Sequence, residues 1–147
     1  MLTLLEHPDA AARLRAEPGL IATAVDEFLR YESPNQLGNR RAAADAVIGD
    51  VAVPRDTLIT LCIGAANRDP AQFPDPDRVD LARAPNRHVA FITGIHACAG
   101  MWLARMEGRV AIGRLVARFP GPRLAGAPVR GRRARFRTLV SLPVAIG

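Results

Sequence analysis

Lysine is absent from this chain of 147 residues; all 20 Lys/Arg positions are arginine, and with 14 acids the net charge is +6. Uniform arginine usage reads as a compositional bias rather than a nucleic-acid code, although the positive surface still attracts acidic partners. Cysteine is nearly absent too. Two residues, Cys62 and Cys98, give no disulfide framework, which suits a reducing compartment and leaves Cys98 free to bind a metal. No apolar run reaches membrane-spanning length, and Glu6 and Asp9 come too early for a secretory signal, so a cytoplasmic protein without membrane association is expected. No internal repeat, Gly/Ser linker or low-complexity tract divides the sequence. With 49% apolar and 23% charged residues, one globular domain over 1–147 is the expectation.

The most informative stretch is Phe91 to Arg105, FITGIHACAGMWLAR. Cys98 stands among Ala97, Ala99 and Gly100, after a Gly-bearing turn at Gly94 and directly before a long apolar helix pattern. The positive end of a helix macrodipole favours a thiolate, and glycines let a flat ligand approach the backbone. Spacing alone leaves that ligand open.

Upstream, Leu2 to Leu5 is apolar, His7-Pro8-Asp9 breaks it, and Asp9 can cap a short helix through Leu14 to Arg15, ended by Pro18-Gly19. Ile21, Ala24, Val25, Phe28 and Leu29 then fall at helical spacing, predicting an amphipathic helix with Asp26, Glu27 and Arg30 on the rest of its surface. Glu27 and Arg30 stand three apart, so their side chains can meet. Ser33-Pro34 stops this helix. Ala46 to Val53 reads as two strands around a Gly49-Asp50 turn. Thr57 to Ile63 reads as a third strand, apolar on both faces and therefore expected to be covered on both, with Cys62 a small buried hydrophobe inside it. Behind Cys98, the pattern Trp102, Leu103, Met106, Val110, Leu115, Val116 predicts a helix buried on most sides, with Arg105, Arg109, Arg114 and Arg118 reaching out to solvent.

F-x-x-G-x-H-x-C-x-G followed by L-A-R resembles the haem-ligand loop of the bacterial cytochrome P450 monooxygenases, and the resemblance covers nearly the whole chain. Glu27-x-x-Arg30 before Tyr31-Glu32-Ser33-Pro34 resembles the family's E-x-x-R helix; Ala65 to Pro70 and Phe73 to Pro76 resemble its A-A-N-R-D-P and F-x-D-P segments; the terminal L-V-S-L-P-V resembles its C-terminal hairpin. The resemblance implies an α+β fold, mainly α: the C-terminal haem-proximal portion of the cytochrome P450 fold, with small antiparallel β-hairpins. It implies haem b with Cys98 as the iron ligand, Phe91, Gly94 and Gly100 framing the ligand loop, and haem propionates held by His96 and Arg40. Arg41 takes the latter place if the register slips by one, and His88 is a further propionate candidate. Glu27 and Arg30 would form a buried structural network, and Asn35 to Gly38 would face a small-molecule substrate.

The implied activity is insertion of one oxygen atom into an organic substrate. Electrons would come from NAD(P)H only indirectly, through a ferredoxin or flavodoxin and its reductase. The distal helix with its acid-alcohol pair lies upstream of the part resembled here, so activity is expected only when the fold is complete. Two positions depart from the family pattern. Ile92 stands where its loop has a first glycine, which strains the backbone if φ is positive there, and Trp102 is larger than the residue usual behind the ligand.

Three rival functions follow from the same residues. The chain could be a haem-binding or interaction fragment without turnover; a nucleic-acid binder using the five arginines of 130–137; or a zinc protein using Cys62, His88, His96 and Cys98. The tail has one aromatic, Phe136, and no reading motif, so no nucleic acid is expected. The four zinc candidates lack paired ligand spacing.

Overall fold

The computed structural model describes residues 1–146. Helices α1 (Leu2–Glu6) and α2 (Pro8–Ala16) are followed by a 3-10 turn at Pro18–Leu20 and by α3 (Ile21–Tyr31). Pro8 occupies the first turn of α2, where its missing N–H costs nothing, and His7 is the N-cap. Asp9 therefore lies inside the first turn and caps nothing; it acts there only through the helix dipole. Pro18-Gly19 opens the turn leading into α3 as much as it closes α2.

Strands β1 (Leu37–Arg41) and β4 (Leu58–Cys62) form one antiparallel pair, and β2 (Ala46–Ile48) and β3 (Val51–Val53) another around Gly49-Asp50. A short α4 (Ile63–Ala66) follows, and then a long loop runs to the 3-10 turn Gly94–His96. Helix α5 (Met101–Arg118) is the longest element. In the tail, β5 (Arg123–Leu124) pairs with β8 (Val144–Ala145), and β6 (Val129–Arg130) with β7 (Leu139–Ser141). The stretch L-V-S-L-P-V thus supplies two strands that pair with different partners, not one hairpin with each other. Pro143 between them offers no N–H to a ladder.

Leu4, Ala11, Leu14, Ala24, Phe28, Leu81 and Val116 make the core, gathered from α1, α2, α3, the long loop and the end of α5. Full burial of a side chain such as Leu14 or Phe28 contributes about 1.5–3 kcal/mol. Helices α3 and α5 cross closely because Gly108 has no side chain: a Cβ there would lie 3.1 Å from Cγ1 of Val25. Glycine within a helix costs roughly 1 kcal/mol in propensity, which the close approach offsets.

Two burial expectations fail. Within α5 only Val116 is buried, while Trp102, Leu103, Met106 and Val110 are exposed, because nothing in the described residues covers that face. Strand β4 is likewise open at Leu58 and Leu61, and Cys62 is exposed rather than buried. An apolar pattern reports which surfaces favour burial, and the described residues leave these ones uncovered.

Candidate functional site

The site begins with α3. Glu27 and Arg30 are both fully buried and paired side by side, Nε to Oε2 at 2.8 Å and Nη2 to Oε1 at 2.9 Å. Arg30 spends its remaining N–H groups on main-chain carbonyls: Nη1 donates to Asn67 and Pro76, and Nη2 also to Arg78. All five guanidinium donors are thereby satisfied, which is what a buried arginine requires. Glu27 in turn accepts from the Asp80 amide, the Arg83 Nε and the Asn86 amide group. Arg83, which sequence reasoning missed, donates also to the Pro74 carbonyl. It sits 56 residues from Glu27, and no local spacing could reveal it.

Asn67, inside A-A-N-R-D-P, is fully buried. Its Nδ2 donates to Ser33 Oγ at 2.7 Å, and its Oδ1 accepts the Val89 amide at 2.7 Å. Arg68 caps the Tyr31 carbonyl and lies 3.8 Å over the Tyr31 ring. Phe73 is 2% exposed and lies under the Arg30 guanidinium. These contacts tie the loop of residues 67–90 to the helix carrying Glu27 and Arg30, and deliver the chain at Phe91.

From Phe91 the chain closes on itself. The Cys98 amide donates to the Phe91 carbonyl at 2.9 Å, the Ala97 amide to Gly94, and the Met101 amide to Cys98, after which α5 starts with Gly100 as its N-cap. Gly94 takes φ +73°, and a Cβ on Gly100 would lie 3.9 Å from the Cys98 sulfur. Ile92 has φ +58°, a conformation that strains a β-branched residue by about 1–2 kcal/mol. Cys98 is exposed. Phe91, Ile92, His96 and Cys98 line one cleft of about 350 Å³, with Leu29 and Pro34 also in its wall.

Arg40 is on β1, opposite Ile59, while Gly38 is opposite Leu61. Alternation puts Arg40 on the face of Gly38, and Gly38 faces Ile92: a Cβ there would lie 3.4 Å from the Ile92 Cδ1. Arg41 points to the other face and donates to the Asp56 carbonyl at 2.6 Å. The Arg40 guanidinium donates to the neighbouring Asn39 carbonyl.

His88 is placed differently. Its Nε2 lies 3.3 Å from Asp26 Oδ1, and its Nδ1 takes the Ala90 amide at 3.3 Å, so both ring nitrogens are engaged within the protein. Burial pushes the imidazole pKa below its ordinary value, against the opposing pull of the Asp26 carboxylate. Asp26 also accepts Arg105 Nε at 2.7 Å, and that guanidinium lies over the rings of Phe91 and Trp102. Among the described residues, no three His, Cys, Asp or Glu side chains are grouped to hold a metal ion. Cys62, His88, His96 and Cys98 therefore do not assemble into a zinc site. Among the described residues, no helix is long and apolar enough to cross a membrane.

The model of the family described as Cytochrome P450 matches residues 1–121. Cytochrome P450 107B1 of Saccharopolyspora erythraea is 48% identical across 100% of this chain and 37% of its own length. The biotin biosynthesis cytochrome P450 of Bacillus subtilis is 46% identical across 98% of the chain and again 37% of its own. Among solved structures, P450BioI in complex with a hexadec-9Z-enoic acid ligated acyl carrier protein superimposes with a TM-score of 0.96 at 44% identity, over 99% of this chain and 38% of that one. This chain spans little more than a third of the length of those relatives.

Proposed function

The chain belongs to the cytochrome P450 family, and from that premise we propose that it is the haem-proximal part of a haem-thiolate monooxygenase, with Cys98 as the iron ligand. The observation that carries this reading is the exposed thiol of Cys98 at the edge of a cleft with aromatic, aliphatic and imidazole walls. The donor set suits haem. The soft sulfur of Cys98 would bind the iron, Phe91, Ile92 and Leu29 would give an apolar wall, and His96 and Arg40 would supply donors for two carboxylates. Haem bound through a thiolate supplies activation of dioxygen for transfer of one oxygen atom to an organic substrate.

The chain's own residues do the holding. The Phe91 carbonyl fixes the Cys98 backbone, and the Gly100 cap starts α5 just behind it, so the N-terminal end of an 18-residue helix faces the thiolate side. Glu27, Arg30 and Arg83 hold the loop that delivers Phe91. His96, exposed beside the cleft, and Arg40, on the cleft-side face of β1, bind the propionates in this proposal. His88, with both ring nitrogens engaged elsewhere, has no donor left for one.

Substrate would be a small organic molecule and the electron donor an acidic ferredoxin or flavodoxin. P450BioI, one of the relatives of known structure, was captured with an acyl carrier protein, also a partner class to test. The exposed apolar faces of α5 and β4 favour a second reading for the chain alone: haem binding without turnover.

Reconstitution with haem and the ferrous carbon-monoxide spectrum test the assignment. The red-shifted thiolate band is expected in the parent chain and in Cys62→Ala, and is expected to vanish in Cys98→Ala. A band surviving Cys98→Ala overturns it. Supplied with a redox partner and nicotinamide, the isolated chain is expected to yield peroxide and no product; coupled, stereoselective oxidation overturns the second reading.

A further inference from the structure

Ile92 is the strained point of the cysteine loop. It holds φ +58°, a region hostile to a β-branched residue, inside the ring closed by the hydrogen bond from the Cys98 amide to the Phe91 carbonyl. Its own amide donates to the Val89 carbonyl at 2.8 Å, so the strained torsion sits between two anchored turns. Relaxing φ would swing the chain after Ile92 away from Phe91 and open the bond at Cys98. Something must hold it. The side chain reaches across to β1, where Gly38 is buried and offers no side chain of its own, and a Cβ at Gly38 would lie 3.4 Å from both Ile92 Cδ1 and Ile63 Cδ1.

We infer that Ile92 is a positioning residue that pins the cysteine loop to strand β1, its packing over Gly38 holding a backbone conformation that would otherwise relax. The inference rests on reading Cys98 as the iron ligand and adds a mechanical role that nothing about the thiol itself requires. Arg40 lies on the same face of β1 as Gly38, two residues along. The pin therefore places the sulfur and the Arg40 guanidinium in one frame, and loosening it frees one relative to the other.

Amide hydrogen exchange on the apo chain tests this without haem, so its failure is separate from failure of the ligand assignment. In Ile92→Ala, which keeps the Cβ and loses the contact, the Cys98 and Ala97 amides are expected to exchange several-fold faster, with α3 amides from Glu27 to Arg30 unchanged. Ile92→Gly, which loses the contact and relieves the torsion, is expected to deprotect the same amides while melting at a higher temperature than Ile92→Ala. Ile92→Val, which keeps the β-branch and loses only the Cδ1 methyl that reaches Gly38, is expected to deprotect the same amides to a smaller extent than Ile92→Ala. Unchanged exchange at Cys98 in Ile92→Ala overturns the inference. Equal acceleration in α3, or acceleration in Ile92→Gly alone, overturns it as well, since these would mean general destabilisation or mere glycine freedom.

Discussion

The imidazole of His88 is held against the carboxylate of Asp26, Nε2 3.3 Å from Oδ1, while its other ring nitrogen accepts the Ala90 amide. An acceptor at Nδ1 and a donor at Nε2 is the pattern of a neutral ring. The protonated ring would turn a second donor against the Ala90 N–H.

Stability should therefore depend on pH through His88. Its folded pKa is lowered, mainly by burial, so the unfolded chain binds a proton more readily. The stabilisation is complete above the unfolded value of about 6.5 and declines as pH falls through it toward the folded pKa. Urea midpoints measured from pH 8 to pH 5 should fall more steeply for the parent chain than for His88→Gln. Identical slopes would remove His88 as the cause.

Glu27 and Arg30 should be intolerant of single substitution. Glu27→Leu strands a buried guanidinium at about 3–5 kcal/mol, and Arg30→Leu, which leaves the buried carboxylate only Arg83 as a charged partner, should cost about 3 kcal/mol. Arg83→Met removes a charged hydrogen bond and should cost roughly 1.5–3 kcal/mol. Because the three act as one network, Arg30→Leu with Glu27→Leu should cost less than the sum of the two. Additive losses in urea unfolding would refute the network.

Arg40 and Arg41 should separate cleanly. Arg40→Gln is expected to speed haem transfer to an acceptor globin by about tenfold, the worth of one charge-assisted hydrogen bond. Arg41→Gln, which loses only the bond to the Asp56 carbonyl, should leave transfer near the parent rate. The reverse result would put the propionate contact on Arg41.

The basic tail should act on electron delivery. Arg130 and Arg137 are already paired with Glu32, whereas Arg132 and Arg133 are exposed. In a complete enzyme carrying this segment, Arg132→Gln with Arg133→Gln should slow reduction by an acidic donor at low salt, and the difference should fade as salt rises. Unchanged rates together with tight, salt-sensitive DNA binding would favour the nucleic-acid rival instead.

What could be read from the sequence was local. Glu27 and Arg30 are three apart on one helix, Gly49-Asp50 turns a hairpin in two residues, and Cys98 shares a short loop with His96 and Gly100. What could not be read was long-range or depended on cover. Leu37–Arg41 has a single large apolar residue and shows no strand pattern; it is a strand because β4 pairs with it. Arg83 reaches Glu27 only through the fold of a long loop. Cys62 and most of α5 look like core residues because hydropathy records what a surface would favour, and nothing in the described residues covers them.

Arg30 and Arg83 grip the loop through its carbonyls, at Asn67, Pro74, Pro76 and Arg78, rather than through side chains. Every amino acid presents that carbonyl. Exposed positions such as Gln72 and Arg78 are then free to change identity provided the backbone path survives. The same clamp could hold loops of widely different sequence over one unchanging pair of arginines.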